Sequence, residues 1–182
     1  HMGFVLLGVF ALSQVSMTGA TLQMVSHGLI TGLLFAMVGL VYEKAHERSI
    51  PRLGGLAQRM PVIVVVFSVA GLAALGLPGT SGFAAEVLVF LGSFSSTMVA
   101  GIHIYTILAV VGVVLGAGYI LWMLRRVFYG PPKEAYAEVP DADGLEKVYT
   151  FAMVALIMLI GLYPRILTDV IKVAIQPIIG GF

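Results

Sequence analysis

Hydrophobic and polar positions follow each other along this chain in long blocks. Five blocks are mostly apolar, and polar or charged stretches separate them. A helix needs ~20 mostly apolar residues to cross the hydrocarbon core of a membrane. The blocks predict helices at about 2–15, 20–42, 61–97, 103–127 and 148–163, followed by a weaker amphipathic tail to Phe182. The pattern therefore predicts an all-α, polytopic transmembrane helical bundle that forms one domain over 1–182.

The first block is too short to cross a membrane by itself. We therefore expect that it is the end of a longer helix and that the chain is part of a longer protein. A His-Met start is also typical of a cloning remnant, so His1 is either native or left from cloning.

The third block is too long for one span. A straight helix of that length would extend ~55 Å, whereas the hydrocarbon core is ~30 Å thick. Proline lacks an N–H group and clashes with the preceding helical turn. The helix-breaking residues in the middle of the block are Gly76, Pro78, Gly79 and Gly82. We expect a discontinuous helix, broken over 76–82, with Thr80 or Ser81 capping its second half.

Basic residues are distributed unevenly between the two sides of the predicted bundle. Eight of the ten Lys and Arg residues lie in the segments 44–59 and 125–147. Cytoplasmic loops carry an excess of Lys and Arg, so we expect loops 44–60 and 128–147 in the cytoplasm and the C-terminus outside. The acidic segment 130–146 is predicted to be a solvated loop.

Composition restricts the environment and the chemistry of the chain. Hydrophobic residues make up 59% and charged residues 10% of the chain, against ~25% charged residues in an ordinary soluble domain. This composition predicts a lipid bilayer as the surrounding medium. The net charge of +1 argues against a nucleic-acid partner. The absence of cysteine excludes thiolate metal sites and Cys-ligated clusters, and the four histidines show no HxxxH spacing for a metal.

Glu86 is the one acidic residue inside a predicted span. A charge there costs ~2.5–3.5 kcal/mol or more, and such residues usually take part in ion or proton pathways. The dipole of the second half-helix favours the carboxylate, whereas dehydration favours the neutral acid. These opposing effects bring proton exchange within reach near physiological pH. The alternative is a permanently protonated side chain that makes one hydrogen bond between helices.

Two histidines are predicted to share a polar layer with the acid. On a rise of ~1.5 Å per residue, His27 lies ~10 Å, Glu86 ~16 Å and His1 ~20 Å below the outer ends of their helices. An imidazole can accept and pass on a proton near neutral pH. The alternatives are a hydrogen-bonded core histidine at 27 and an uninvolved chain end at 1. His46 and His103 are expected at surfaces.

Aromatic residues gather near one end of the fourth predicted helix. Tyr119, Trp122 and Tyr129 lie where that helix meets the cytoplasmic interface. An aromatic belt is expected at this depth of a membrane.

Several short runs resemble one known family. The runs are HMGFVLLG (1–8), SHGL (26–29), YEKAHER (42–48), GGLA (54–57) and LPGTSGFAAE (77–86). Together they are similar to the C-terminal part of subunit M of bacterial NADH-quinone oxidoreductase. This is the antiporter-like subunit of respiratory complex I, equivalent to mitochondrial chain 4.

The resemblance implies a function and roles for individual residues. It implies a discontinuous helix whose acid, Glu86 here, belongs to an axis of proton-relay groups at mid-membrane. His27 and His1 match relay histidines of the family, which favours a native His1. The family's other relay groups lie on helices that this chain does not include. The resemblance also implies the inner membrane of a bacterium as the location.

The resemblance further implies that the chain carries no cofactor of its own. NADH, flavin (FMN), iron–sulfur clusters and quinone would belong to partner subunits, and the other membrane subunits of complex I would be its partners. We therefore expect a proton-translocating subunit of an enzyme complex. Two alternatives share the architecture: a subunit of a multisubunit cation/proton antiporter or membrane-bound hydrogenase, and a non-catalytic membrane scaffold.

Overall fold

The structure is entirely helical in the part of the chain that it describes. The computed structural model describes residues 1–180, which form seven α-helices, two short 3₁₀ turns and no strand. The helices are α1 (Met2–Phe10), α2 (Gln14–Ala45), α3 (Pro61–Ala74), α4 (Ser81–Phe94), α5 (Ile102–Val127), α6 (Gly144–Leu162) and α7 (Arg165–Ile179). The 3₁₀ turns are Leu56–Gln58 and Glu134–Tyr136. The all-α prediction is confirmed, and the predicted end of the tail at Phe182 lies outside the described residues.

Three of the helices in the described part of the chain have the length and composition of membrane spans. Helices α2, α5 and α6 are long and apolar enough to cross a membrane, whereas α3 and α4 are apolar but shorter. On α5, Leu108, Val114 and Leu115 each expose more than 60% of their surface. Apolar side chains on most of a helix surface require a cover of lipid or other protein. The chain is a multi-pass membrane protein.

The long third block forms two helices, as predicted. Non-helical residues 75–80 separate α3 from α4. Gly76 and Gly79 adopt φ angles of +66° and +95°, which L-residues with a Cβ disfavour. The break is shorter than the predicted 76–82, because Gly82 lies in the first turn of α4. There its missing Cβ lets α4 approach the backbone of α3.

The hydroxyl groups at the break do not cap α4 in the predicted way. Thr80 occupies the N-cap position, but its hydroxyl donates to the carbonyl oxygen of Leu77 at 2.8 Å and accepts no hydrogen bond from α4. The hydroxyl of Ser81, the first residue of α4, forms a buried hydrogen bond of 2.8 Å with the hydroxyl of Ser26. The predicted cap is therefore wrong, and Ser81 instead joins α4 to α2.

The boundary between the first two helices differs from the predicted 2–15 and 20–42. Helix α2 begins immediately after Ser13, and α1 is correspondingly shorter. The hydroxyl of Ser13 accepts the Ser16 N–H at 3.1 Å, and the hydroxyl of Ser16 accepts the Ser13 N–H at 3.3 Å. This capping box satisfies amides that a helix start leaves free, so α2 begins in a polar stretch.

A second capping box makes α6 begin earlier in the sequence than predicted. The helix begins at Gly144 instead of 148, because Asp143 accepts the Glu146 N–H at 2.8 Å and Glu146 accepts the Asp143 N–H at 2.7 Å. Helix α5 lies within one residue of its predicted bounds, and α4 ends at Phe94 instead of 97.

One end of the bundle holds most of the positive charge. The loops joining α2 to α3 and α5 to α6 meet there, with a backbone hydrogen bond of 3.0 Å from Ala57 to Phe128. We call it the basic end, and its cations are Lys44, Arg48, Arg52, Arg59, Arg125, Arg126, Lys133 and Lys147.

The segment 130–146 is attached to the basic end, so its description as a solvated loop is wrong in part. The carboxylate of Asp141 accepts two backbone N–H groups at the start of α3, at 2.9 and 3.2 Å. Lys133 donates to two carbonyl oxygens of the loop before α3, at 3.0 and 2.8 Å. The ammonium of Lys44 lies 3.0 Å from a carboxylate oxygen of the mostly buried Glu146. These contacts fix where α3 and α6 enter the bundle.

Small residues bring α2 and α4 together. A Cβ on Gly19 would lie 2.5 Å from the amide nitrogen of Val89, and a Cβ on Gly92 would lie 2.7 Å from the Cα of Ser16. Close backbone contact at small residues is a common way for helices to pack in membranes. This packing places α4, and with it Glu86, against the polar face of α2.

Candidate functional site

Glu86 lies in the second turn of α4, and its side chain reaches back beneath the break. It is only 5% exposed. A Cβ built on Gly76 would overlap carboxylate oxygen Oε2 of Glu86. The glycine is thus needed for its positive φ and for the space that it leaves to the carboxylate. The break and the acid form one structural unit.

Two small cavities border the carboxyl group of Glu86. One, of about 170 Å³, also touches Phe4, Leu75 and Tyr119. The other, of about 10 Å³, also touches Gln23 and His27. His1 and Ala74 line both cavities. Water needs ~10–15 Å³ of such space, so the smaller cavity has room for about one molecule and the larger one for several.

Within residues 1–180, the carboxyl group of Glu86 makes no hydrogen bond and no ion pair with another side chain. The ion pairs of these residues lie elsewhere, at Lys44, Arg52 and Lys172. A buried carboxyl group without a fixed protein partner depends on water for its hydrogen bonds. The two cavities are where such water would have room.

The two predicted histidines both line the smaller cavity, and His1 also lines the larger one. The rings of His1 and His27 are 5.4 Å apart between centroids, at an interplanar angle of 50°. Nε2 of His1 donates to the carbonyl oxygen of Ala74 at 2.7 Å. That carbonyl belongs to the last residue of α3 and is free because the helix is broken. A carbonyl oxygen only accepts, so Nε2 carries a proton and the neutral ring offers Nδ1 as an acceptor.

Gln23 belongs to the same cluster and is absent from our predictions from sequence. It lies one helical turn before His27 on α2, so both side chains project from one face of the helix. Its side chain is 2% exposed, and its Oε1 has no hydrogen-bond partner in the described residues. This oxygen can accept a hydrogen bond from water in the smaller cavity. The i, i+4 spacing to His27 is the signal that could have indicated it.

The remaining candidate residues lie away from this cluster, with one exception. His46 is the exposed C-cap of α2, and His103 is exposed at the start of α5. Tyr119, which was predicted to belong to an aromatic belt, is 61% exposed and also lines the larger cavity with His1 and Glu86. No group of three or more His, Asp or Glu residues able to hold a metal ion occurs within 1–180.

Comparison with known proteins places this architecture in a family. Residues 1–113 match the family described as NADH:quinone oxidoreductase/Mrp antiporter, TM. NAD(P)H-quinone oxidoreductase chain 4 of Synechococcus elongatus is 45% identical, over 95% of this chain and 33% of its own length. NADH-quinone oxidoreductase subunit M of Rhodobacter capsulatus is 41% identical, over 100% of this chain and 35% of its own. This chain thus spans about a third of the length of these relatives.

Solved structures agree with this assignment. Respiratory complex I from Thermus thermophilus contains a chain that matches with a TM-score of 0.85 and 28% identity, over 93% of this chain and 34% of the other. The Mrp complex from Dietzia sp. matches with a TM-score of 0.80 over 93% of this chain and 39% of the other, and at 19% identity it supports the fold alone. The resemblance to subunit M is confirmed, and the chain belongs to the NADH:quinone oxidoreductase/Mrp antiporter membrane family.

Proposed function

We propose that this chain forms part of a proton-translocating membrane subunit of a respiratory NADH:quinone oxidoreductase, complex I. The observation that carries the proposal is the position of Glu86. Its buried carboxyl group lies beneath a broken helix, borders two cavities and has no side-chain partner within residues 1–180. The names of the relatives favour coupling to electron transfer from NADH to quinone.

Glu86 would serve as the group that takes up and releases protons at the break. A charge in the membrane interior costs ~2.5–3.5 kcal/mol or more, so a carboxyl group there changes its protonation when its surroundings change. The N-terminal end of α4 favours the charged form, and a dry environment favours the neutral form. Hydration of the two cavities is therefore a means of controlling the proton on Glu86.

His1 and His27 would carry protons between Glu86 and the rest of the subunit. Both imidazoles line the smaller cavity with Glu86, and imidazole can accept a proton on one nitrogen while it donates from the other. The hydrogen bond from Nε2 of His1 to Ala74 leaves Nδ1 to receive a proton. Relay groups on other helices of the complete subunit would continue the path.

Gln23 would position water in the smaller cavity. An amide does not change protonation, but its oxygen accepts and its nitrogen donates hydrogen bonds. Because Gln23 lines the smaller cavity together with His27 and Glu86, it can orient a water molecule that links them. The Ser26–Ser81 hydrogen bond of 2.8 Å would hold α2 and α4 at the spacing that this link needs.

The proposal includes the setting of the subunit. NADH, FMN, iron–sulfur clusters and quinone would bind to partner subunits, with the other membrane subunits of complex I packed beside this one. The excess of Lys and Arg at the basic end supports its location in the cytoplasm, with the protein in the bacterial inner membrane and its C-terminus outside.

The test is the Glu86→Gln variant of the complete complex in proteoliposomes. We expect NADH-driven proton pumping, normalised to assembled complex, to fall to a small fraction of the original rate. The matched control is Glu138→Gln, which makes the same change at an exposed position of segment 130–146 and should pump normally. Undiminished pumping by an assembled Glu86→Gln complex would refute the relay role and support a scaffold role instead.

A second candidate is a subunit of a cation/proton antiporter, because the matched family includes the Mrp antiporter. In that case an imposed Na⁺ gradient should drive proton movement through the complete complex without NADH, and Glu86→Gln should abolish it. Proton movement that requires NADH and is indifferent to Na⁺ would favour complex I.

A further inference from the structure

The start of α3 has no cap from its own sequence. Met60 occupies the N-cap position without a side-chain hydrogen bond, and the first turn contains no acidic residue. A helix start leaves backbone N–H groups that need partners. Pro61, the first residue, has no N–H, and the N–H of Val64 donates to the carbonyl oxygen of Met60 at 2.9 Å. The N–H groups of Val62 and Ile63 therefore depend on a partner from elsewhere in the chain.

Asp141 is that partner, although it lies almost 80 positions further along the chain. Its Oδ2 accepts the Val62 N–H at 2.9 Å, and its Oδ1 accepts the Ile63 N–H at 3.2 Å. A carboxylate is favourable at the positive end of a helix dipole, and hydrogen bonds to a charged acceptor are strong. A polar residue at position 60 could stabilise α3 by itself. Asp141 instead ties the start of α3 to segment 130–146.

Segment 130–146 is fixed to the bundle on both sides of Asp141. Before it, Lys133 donates to two carbonyl oxygens of the loop that precedes α3, and the hydroxyl of Tyr136 donates to the carbonyl oxygen of Arg52 at 3.2 Å. After it, Glu146 belongs to the capping box of α6 and pairs with Lys44 at the end of α2. The carboxylate of Asp141 is therefore held at a fixed depth relative to α2 and α6.

The other end of α3 forms part of the proton-transfer site. A Cβ on Gly82 would overlap the carbonyl oxygen of Ala73, and a Cβ on Gly76 would overlap Oε2 of Glu86. Ala73 and Ala74 also line the smaller cavity, of about 10 Å³. A water molecule needs ~10–15 Å³, so this cavity is at the lower limit for one. A small displacement of α3 along its axis would therefore close the cavity or admit more water.

We propose that Asp141 is a positioning residue for proton transfer at Glu86. By holding the start of α3, it sets the depth at which the broken end of that helix lies beside the carboxyl group. Helix α3 has 14 residues and extends ~20 Å, so Asp141 acts through the helix and carries no proton itself. The positioning role rests on the proposed function of Glu86, whereas the hold on α3 does not.

The hold is tested by hydrogen–deuterium exchange of the complete complex, measured on peptides that cover the start of α3. We expect these amides to exchange about fivefold faster in Asp141→Ala, the factor that a typical N-cap contributes. Asp141→Asn keeps one acceptor oxygen and should give an intermediate rate. The control Glu138→Ala removes a carboxylate from an exposed position of the same segment and should exchange like the wild type.

The positioning role is tested by proton pumping and infrared spectroscopy of the same variants. We expect Asp141→Ala to pump fewer protons per NADH oxidised and to shift the carboxyl C=O band that Glu86→Gln removes. Asp141→Asn should recover part of both, and it replaces Asp141→Ala if the alanine variant does not assemble. A role in stability alone would lower the amount of assembled complex and leave the band in place.

The outcomes separate the two roles from each other and from the proposed function. Unchanged exchange at the start of α3 in both Asp141 variants would overturn the hold. Faster exchange with pumping and a carboxyl band equal to those of Glu138→Ala, beside an inactive Glu86→Gln, would overturn the positioning role alone. Normal pumping by Glu86→Gln would overturn the proposed function, and the positioning role with it.

Discussion

Replacing Gly76 by alanine, with a control at Gly79, tests whether the position of the Glu86 carboxyl group matters for transport apart from the stability of the break. The φ angle of +66° disfavours any residue with a Cβ by roughly 1–2 kcal/mol. The new Cβ would also overlap Oε2 of Glu86. That oxygen is the end of a flexible side chain, so it moves at little additional cost in stability. The carboxyl group then leaves its position between the two cavities.

Gly79→Ala is the matched control for this variant. Gly79 also has a positive φ, but at +95° it lies outside the left-handed region that L-residues can adopt, so alanine there carries a backbone cost at least as large as at Gly76. Its Cβ would meet side-chain atoms of Leu162 at 3.7 Å and Met158 at 4.0 Å, which are ordinary contacts, and would not touch Glu86. Both variants therefore strain the backbone of the break, but only Gly76→Ala displaces the carboxyl group of Glu86.

The assay compares thermal stability and NADH-driven proton pumping of both variants in the assembled complex. We expect both variants to lose stability, Gly79→Ala by at least as much as Gly76→Ala, and a loss of most pumping per assembled complex in Gly76→Ala only. Equal pumping by Gly76→Ala and Gly79→Ala would refute the reasoning, because the position of the carboxyl group would then be irrelevant to transport.

Two further predictions concern residues that the sequence patterns did not identify. Gln23→Leu keeps the volume but removes the amide, so we expect unchanged thermal stability and slower pumping with a shifted pH profile. The control is Met24→Leu at the exposed neighbouring position, and equal pumping by the two would count against a role for the amide. Glu146→Gln leaves the Lys44 ammonium without its carboxylate at a mostly buried site, and should destabilise the complex by about 1–3 kcal/mol. Thermal unfolding against the exposed control Glu134→Gln measures this, and coinciding midpoints would contradict it.

The break in the third helix could be predicted because its causes are local. Pro78 and the neighbouring glycines disfavour a continuous helix wherever they occur, and a block too long for one span requires an interruption. The extent of the break could not be predicted, because Gly82 remains helical. Its missing Cβ permits close contact between α4 and α3, and that contact depends on tertiary packing.

Only the ionisable members of the candidate cluster could be predicted from the sequence. Glu86 and His27 are conspicuous because ionisable residues are rare in apolar blocks. Gln23 is uncharged and lacked that signal, and its importance follows from burial of its amide beside His27. The role of Gly76 depends on the side chain of Glu86 folding back toward the break, which no spacing rule gives.

Helix ends and the acidic loop were harder to predict, because short polar side chains occur both in solvated loops and as caps of helices. Ser13 was predicted near the end of the first helix and Ser16 in the gap that follows it, but the two form a capping box at the start of α2. Asp141 looked solvated but caps α3, a helix that lies far from it in sequence. Hydrophobic periodicity locates the apolar part of a helix, whereas hydrogen bonds of this kind locate its ends.

The central claim is that Glu86 gains and loses a proton during turnover. Infrared difference spectroscopy of the complete complex during NADH oxidation measures this directly through the C=O stretch of a protonated carboxyl group. The account predicts a turnover-dependent carboxyl band that is lost in Glu86→Gln and retained in the exposed control Glu138→Gln. An identical band pattern in wild type and Glu86→Gln would contradict it, since the protonation of Glu86 would then not change during turnover.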